Sequence, residues 1–356
     1  MYEYVYDAEL VRLALAFGVV VSMLFYDRYG VTTGGIIVPG YLALFVVRPT
    51  HILTTLLIGL LIYWMVQKLL RPKWMLWGRK LFETEIVLAL LLQSIWLGAL
   101  LYLAPREQNL TFLFSIGFLL PGILAHDMGR QGARTTILAA LGSALVVFGL
   151  ITLVGAFRDI WGLPLLAANG LSTAPVAPLA FPETWLLVAI IASVVASIAL
   201  YRWGLFPRAL LTDSLRTGGF VTAGYLALFV TRPADLAFVL ICSTVTYIIV
   251  TQLLMKQAIL FGRTKMATMF LTGIVVTWLA ELLISFSGLD YVPWIGFNAI
   301  VPTIAALLAN DAERQGPWRT LAGATVATVF VLAVVTLVYF AYTWIVTGTP
   351  ELILAR

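Results

Sequence analysis

Long uninterrupted apolar runs, with polar residues gathered between them, set the pattern of this chain. Leu10 to Phe25, Ile52 to Val66, Ile86 to Leu103 and Leu138 to Val154 carry almost no charge. Each approaches the length of a helix that crosses a bilayer. In the first half the pattern predicts six segments, at approximately 8–27, 34–47, 51–70, 82–103, 110–126 and 135–157. The second of these is short: 14 helical residues reach about 21 Å against an apolar bilayer core of about 30 Å. Its sequence, TTGGIIVPGYLALFV, holds two glycines and a Pro-Gly pair, which suits a broken helix whose freed backbone groups face protein or water. Two topologies follow. Either all six segments cross and the N-terminus lies outside, or segments two and five re-enter, leaving four crossings and an N-terminus inside.

The same pattern occurs twice. GYLALFV at Gly40 to Val46 returns at Gly224 to Val230, an offset of 184. At that offset Arg48-Pro49 meets Arg232-Pro233, Tyr63 meets Tyr247, Gly78-Arg79 meets Gly262-Arg263, and DMGRQG from Asp127 meets DAERQG from Asp311. A fixed offset shared by loop and helix residues marks a tandem duplication. The second copy carries extra residues around Phe206 to Ser214 and after Pro302, placed at helix ends or loops. A stretch rich in Pro, Gly, Asn and Ser separates the copies, so residues 1–157 are read as the first repeat, 158–183 as a linker and 184–356 as the second repeat. Six segments are an even number, which predicts parallel copies related by a pseudo-twofold axis along the membrane normal. The expected fold is an all-α polytopic membrane protein of about twelve segments, some short or re-entrant.

Composition agrees: 62% of residues are hydrophobic and 11% charged, with a mean hydropathy of +1.00. These values exclude a soluble globular domain. The first run follows the acidic MYEYVYDAE and lacks a small-residue cleavage site, so it is expected to stay as a helix rather than leave as a signal. The single cysteine, Cys242, lies in an apolar run and is read as packing. Net charge is +5, and with six crossings sixteen of the 22 lysines and arginines fall on the cytoplasmic side. The basic stretch 68–80 is cytoplasmic in either topology.

Candidate chemistry is sparse. Backbone amides exposed at the break around Gly40, and Gly224 in the second copy, would suit an anion, as helix N-termini do, or the small residues would simply permit close packing. Asp127, Arg130 and Gln131, mirrored by Asp311, Arg314 and Gln315, form either local i,i+3 ion pairs or a polar entrance for an anionic or amide-rich substrate. KWMLWGRK alternates tryptophan with cations; Lys73, Arg79 and Lys80, with Arg263 and Lys265 in the second copy, are interfacial anchors or a docking face for a cytoplasmic partner. Arg48 and Arg232 precede prolines at the end of segment two. Glu281 is an intramembrane acid present in one copy only. His51 and His126 do not recur either, so no histidine-centred metal or acid–base site is expected. Phosphate-loop, GxSxG and HExxH patterns are missing, so no catalytic residue, metal or cofactor is assigned and any energy-consuming chemistry belongs to a partner.

VPGYLALF at Val38 to Phe45, GRKLF at Gly78 to Phe82, LPGILA at Leu120 to Ala125 and RQG at Arg130 to Gly132 resemble the PgsC/CapC family, the membrane subunit of poly-γ-glutamate biosynthesis. Members are about one copy of this repeat long, and the resemblance runs through most of residues 8–157. The second copy matches more loosely, through GYLALF, GRTKM, IVPTIAAL and RQG, with Ala223 and Thr303 where the family has Pro and Gly. Tyr26-Asp27-Arg28 resembles an acidic–basic pair of the family, which adds Asp27 and Arg28 to the candidates for a substrate or polymer path. The resemblance implies a multi-pass subunit in the cell membrane that is not catalytic alone. It would anchor an ATP-dependent amide ligase of the PgsB/CapB type beside a PgsA/CapA-like protein and guide an anionic polymer. The lipid bilayer and a further copy of the chain are other possible partners, and nucleic acid is not one. The alternative is a stand-alone exporter of an anionic amino acid, peptide or polymer; an intramembrane enzyme ranks third. On this reading the doubled chain is a pseudodimer in one polypeptide.

Overall fold

A computed structural model of the protein describes residues 6–103, 113–161, 177–203, 214–289, 291–297 and 299–347. Most of the insertion around Phe206 to Ser214 and of the 158–183 linker lies outside the described residues. The chain divides into two compact units, Tyr2–Leu165 and Leu166–Arg356, apart from Met1, referred to below as unit one and unit two.

Unit one contains α1 (Ala8–Tyr29), α2 (Val38–Leu44), α3 (Pro49–Met65), α4 (Gly78–Leu103), α5 (Leu120–Gln131) and α6 (Ala133–Trp161). Unit two repeats the set as α7 (Leu186–Trp203), α8 (Thr222–Leu228), α9 (Pro233–Ile248), α10 (Gly262–Phe286), α11 (Val301–Gln315) and α12 (Pro317–Thr347). Among the described residues no strand occurs. Helix ends follow local chemistry. Gly30 closes α1 in the left-handed region at φ 66°, Pro49 and Pro233 open α3 and α9, and Gly132 and Gly316 break α5 from α6 and α11 from α12. Both α3 and α9 run on into a π-helical turn, Val66–Leu70 and Ile249–Leu254.

Eight helices, α1, α3, α4, α6, α7, α9, α10 and α12, are long and apolar enough to cross a membrane. The short helices α2, α5, α8 and α11 end segments that begin without helical structure, and contacts show where these segments go. Preceding α2, Thr33 bonds Ser22 of α1 at 2.7 Å, while Gly40 packs on Ala14 and Gly18 of the same helix. The segment therefore returns along α1. The segment of α5 starts beside His51, whose Nδ1 lies 2.7 Å from Phe114 O. It passes Thr55, which accepts from Ile116 N at 2.8 Å, then Gly59 beside Pro121 O, and ends with Gly129 beside Gln67. Sixteen residues of α3 separate the two ends of this ladder, about 24 Å of helix. Segments two and five thus travel from one end of the unit to the other, the course that the crossing alternative requires. Unit two repeats the path: Leu215 N donates to Leu200 O at 3.2 Å, Ser193 Oγ donates to Phe220 O at 2.6 Å, and Gly224 packs on Ala189.

These broken segments form the centre of each unit. Every residue of α2 and of α8 is buried, whereas α3 turns Leu53, Leu57, Leu61 and Trp64 outward as an exposed apolar stripe suited to lipid. Irregular backbone at membrane depth is tolerated only where protein covers it and supplies partners. Gln93 Nε2 does so by donating to Phe118 O at 2.9 Å.

A further symmetry lies inside each unit. Gly35-x-x-x-Pro39-Gly40-x-Leu42-Ala43 in segment two reappears as Gly117-x-x-x-Pro121-Gly122-x-Leu124-Ala125 in segment five. Gly40 packs on the backbone of α1 as Gly122 packs on that of α4. Since α1 and α4 run in opposite directions, α1–α3 and α4–α6 form an inverted pair of three-segment halves. The inversion sits one level below the tandem duplication.

Candidate functional site

The DMGRQG and DAERQG motifs close the short helices α5 and α11, at the end of each unit that also holds the 68–80 or 256–265 stretch. This is termed the basic end. Here Thr32 N donates to Gln131 Oε1 at 2.8 Å, and Gln131 Nε2 donates back to Thr32 O at 2.5 Å. Unit two repeats the clamp: Arg216 N donates to Gln315 Oε1 at 2.9 Å, and Gln315 Nε2 donates to Arg216 O at 2.8 Å. Each amide also reaches a threonine on the next helix, Thr136 or Thr320, at 3.0 Å. The glutamines are thus spent on the backbone where segment two begins, rather than lining an entrance.

The acids of the motif diverge. Asp311 accepts from Gly218 N at 3.1 Å and lies 3.6 Å from Arg216 Nη1. Asp127 is buried, its Oδ2 has no partner among the described residues, and its expected mate Arg130 is 3.9 Å away with a side chain 61% exposed. Beside Asp127, His126 turns its Nδ1 to Glu85 Oε2 at 2.7 Å and stands edge-on to Phe82. Glu85, on α4, is completely buried, and its other oxygen, Oε1, has no partner among the described residues. Gln67 comes from the π-helical turn, accepting from Arg71 Nη1 at 2.9 Å and leaving Nε2 buried and unpaired. Gly129 packs against this group: a Cβ there would lie 2.7 Å from Gln67 Nε2 and 3.9 Å from Glu85 Oε1. The result is a compact polar chamber at the basic end of unit one, built by α3, α4 and α5.

The other predicted residues are dispersed. Asp27 and Arg28 are exposed in the last turn of α1 at the basic end. Gly40 and Gly224 are buried and pack closely against α1 and α7. Arg48 and Arg232 lie at the opposite end, far along α3 and α9 from the motif acids. Arg232 Nε donates to Ala177 O at 2.6 Å and its Nη1 is 4.0 Å from Asp235. Asp235 in turn accepts from Tyr291 Oη at 2.6 Å and Trp294 N at 3.0 Å; burial and this carboxylate push the Tyr291 phenol well above its ordinary range. Of the docking candidates, Lys73 and Lys80 are exposed, with Trp74 and Trp77 beside them. Arg79 is held by Glu83 at 2.8 Å. Arg263 is partly exposed. Lys265 is buried and paired with Glu313. Arg314 is exposed. Glu281 and Cys242 are buried in α10 and α9. Among the described residues no group of three His, Cys, Asp or Glu is placed to hold a metal.

Sequence reasoning set His126 aside because it does not recur at the 184 offset and did not single out Glu85 or Gln67. The missing signal was their convergence with Asp127, which i,i+3 and i,i+4 spacing cannot show across three helices.

Comparison with known proteins bears on the whole arrangement. The family model for capsule biosynthesis CapC matches residues 17–137 and again 208–321, one stretch in each unit. The chain belongs to the capsule biosynthesis CapC family. Among its relatives, the PGA biosynthesis protein CapC of Bacillus subtilis (strain 168) is 33% identical over 137 residues, 38% of this chain and 87% of that protein. The capsule biosynthesis protein CapC of Bacillus anthracis is 33% identical over 126 residues, 35% of this chain and 82% of that protein. No solved structure matches. Both relatives align along most of their length to little more than a third of the chain, so this CapC-family member has the family pattern twice over.

Proposed function

We propose that this chain is the membrane subunit of an assembly that makes poly-γ-glutamate, or a related amide-linked anionic polymer, at the cell membrane. The family match in both units carries the reading, and eight helices of membrane-spanning character fit a multi-pass subunit. The basic end faces the cytoplasm by the excess of Lys and Arg there. Exposed Lys73 and Lys80, flanked by Trp74 and Trp77, form the face on which an ATP-dependent amide ligase of the PgsB/CapB type docks. Arg28, Arg130 and Arg314, exposed at the same end, hold acidic substrate or growing polymer near the membrane electrostatically. A PgsA/CapA-like protein completes the assembly.

One observation favours a second role as conduit for the polymer. Inverted three-segment halves, nested inside a tandem duplication and built around broken segments, form an organisation shared with transporters.

Deleting the gene in its own host tests the first reading: surface γ-linked polymer is lost and returns with the wild-type gene. Polymer output unchanged by deletion would overturn it. Affinity purification in mild detergent tests docking. The ligase is recovered with wild type and is at least about tenfold depleted with Lys73→Glu/Lys80→Glu, and equal recovery would remove this face from the interface.

A further inference from the structure

The polar chamber of unit one is costly to keep. Glu85 is fully buried with one carboxylate oxygen unpaired, Asp127 is 5% exposed with its Oδ2 unpaired, and Gln67 Nε2 is unpaired beside them. Buried carboxylates without full pairing oppose folding, so a fold that does not need them discards them. Unit two forms the same set of helices without a counterpart of Glu85, although it keeps Asp311 where unit one has Asp127. At the equivalent positions it has Met269 for Glu85, Asn310 for His126, Thr251 for Gln67 and Met255 for Arg71, and α9, α10 and α11 still form. The chamber is therefore a feature of one unit laid over a scaffold common to both.

Groups facing Glu85 come from each packed element: Arg71 and Gln67 from the extension of α3, and His126 and Asp127 from α5, with Arg130 on the outer side of Asp127. Glu85 and Asp127 are buried, and His126, its side chain 26% exposed, is the link to the surface.

We propose that Glu85 is a proton-binding site, with His126, hydrogen-bonded to it, as the group that exchanges the proton with the basic face. His126 takes a proton at Nε2 from a hydronium ion, which leaves as water, and passes the proton on Nδ1 to Glu85 Oε2 across the 2.7 Å contact. One N–H bond forms, one breaks, an O–H bond replaces it, and His126 returns to neutrality in its other tautomer. This goes beyond the polymer reading and fails separately from it, because the test contains no polymer.

The test is infrared difference spectroscopy of the full chain in nanodiscs of zwitterionic lipid, following the protonated-carboxyl band through a pH titration. A band that grows as pH falls, disappears in Glu85→Gln and persists in Glu281→Gln is the expected result. After a pH jump, His126→Asn slows the rise of that band about 100-fold. Identical titrations of wild type and Glu85→Gln overturn the site, and an unchanged rise in His126→Asn overturns the relay. Should Glu85→Gln not fold, Glu85→Met, which introduces the residue found at position 269, serves in its place.

Discussion

Gln131 and Gln315 present a donor and an acceptor in one plane, and so pair with both backbone groups of Thr32 and Arg216 as a neighbouring peptide would. Alanine leaves an amide and a carbonyl without partners where water is scarce. Gln131→Ala is expected to cost about 2 kcal/mol, below the full cost of two buried groups because the site is only partly buried. Gln131→Glu keeps the acceptor and loses the donor, so it falls between. Apparent melting midpoints in detergent order the three chains, and no difference between Gln131→Ala and wild type would deny the clamp its role. Packing glycines give a second residue-level contrast. A Cβ on Gly40 would lie 2.6 Å from Ala14 O, but on Gly224 only 3.3 Å from Ala189 O. Gly40→Ala must push two backbones apart, at a cost of about 1–3 kcal/mol or more. Gly224→Ala needs a shift of a few tenths of an ångström and stays close to wild type in the same assay. The sequence showed these residues as recurring motifs but left their roles open between ligand contact and packing. Only the distance to a neighbouring helix separates the two.

The long helices were legible in the sequence because apolar runs of their length admit little else. The broken segments were legible as irregular, through Gly34, Gly35, Pro39 and Gly40, but not in their course. A residue count gives the reach of a helix, whereas a half-helical segment reaches further than its helix alone. Their internal kinship was also masked, since the second copy has Ala223 and Thr303 in place of the Pro and Gly that make GxxxPGxLA visible in the first. Crossing and re-entry predict different labelling. With Cys242→Ser as background, single cysteines at Tyr29, Trp77 and Arg130 react with a membrane-impermeant maleimide from the same side, and a cysteine at Asp7 reacts from the other. Asp7 belongs with the far end of α6, since Arg158 reaches it at 2.9 Å. Re-entry would place Tyr29 and Trp77 on opposite sides, so labelling of those two from different faces would refute the crossing of segment two.

At the scale of the molecule the duplication is complete in scaffold and incomplete in chemistry. Each unit is compact with its own buried centre, and the Bacillus subtilis relative, 87% covered by an alignment of 137 residues, is about one unit long. A unit with its own core is expected to fold alone. Residues 1–165 made alone should insert and melt in detergent cooperatively, and residues 166–356 likewise. The chemistry, however, divides unequally: Glu85, His126, Gln67 and Arg71 belong to unit one, while unit two fills the matching space with Met269, Asn310, Thr251 and Met255 and pairs Lys265 with Glu313 instead. If unit one carries the working site and unit two supports it, the two pieces produced together in a deletion host restore polymer, and unit two alone does not, even at equal abundance in the membrane. Restoration by unit two alone would move the function away from the chamber and onto what the units share, namely the glutamine clamp, the broken segments and the exposed arginines of the basic end.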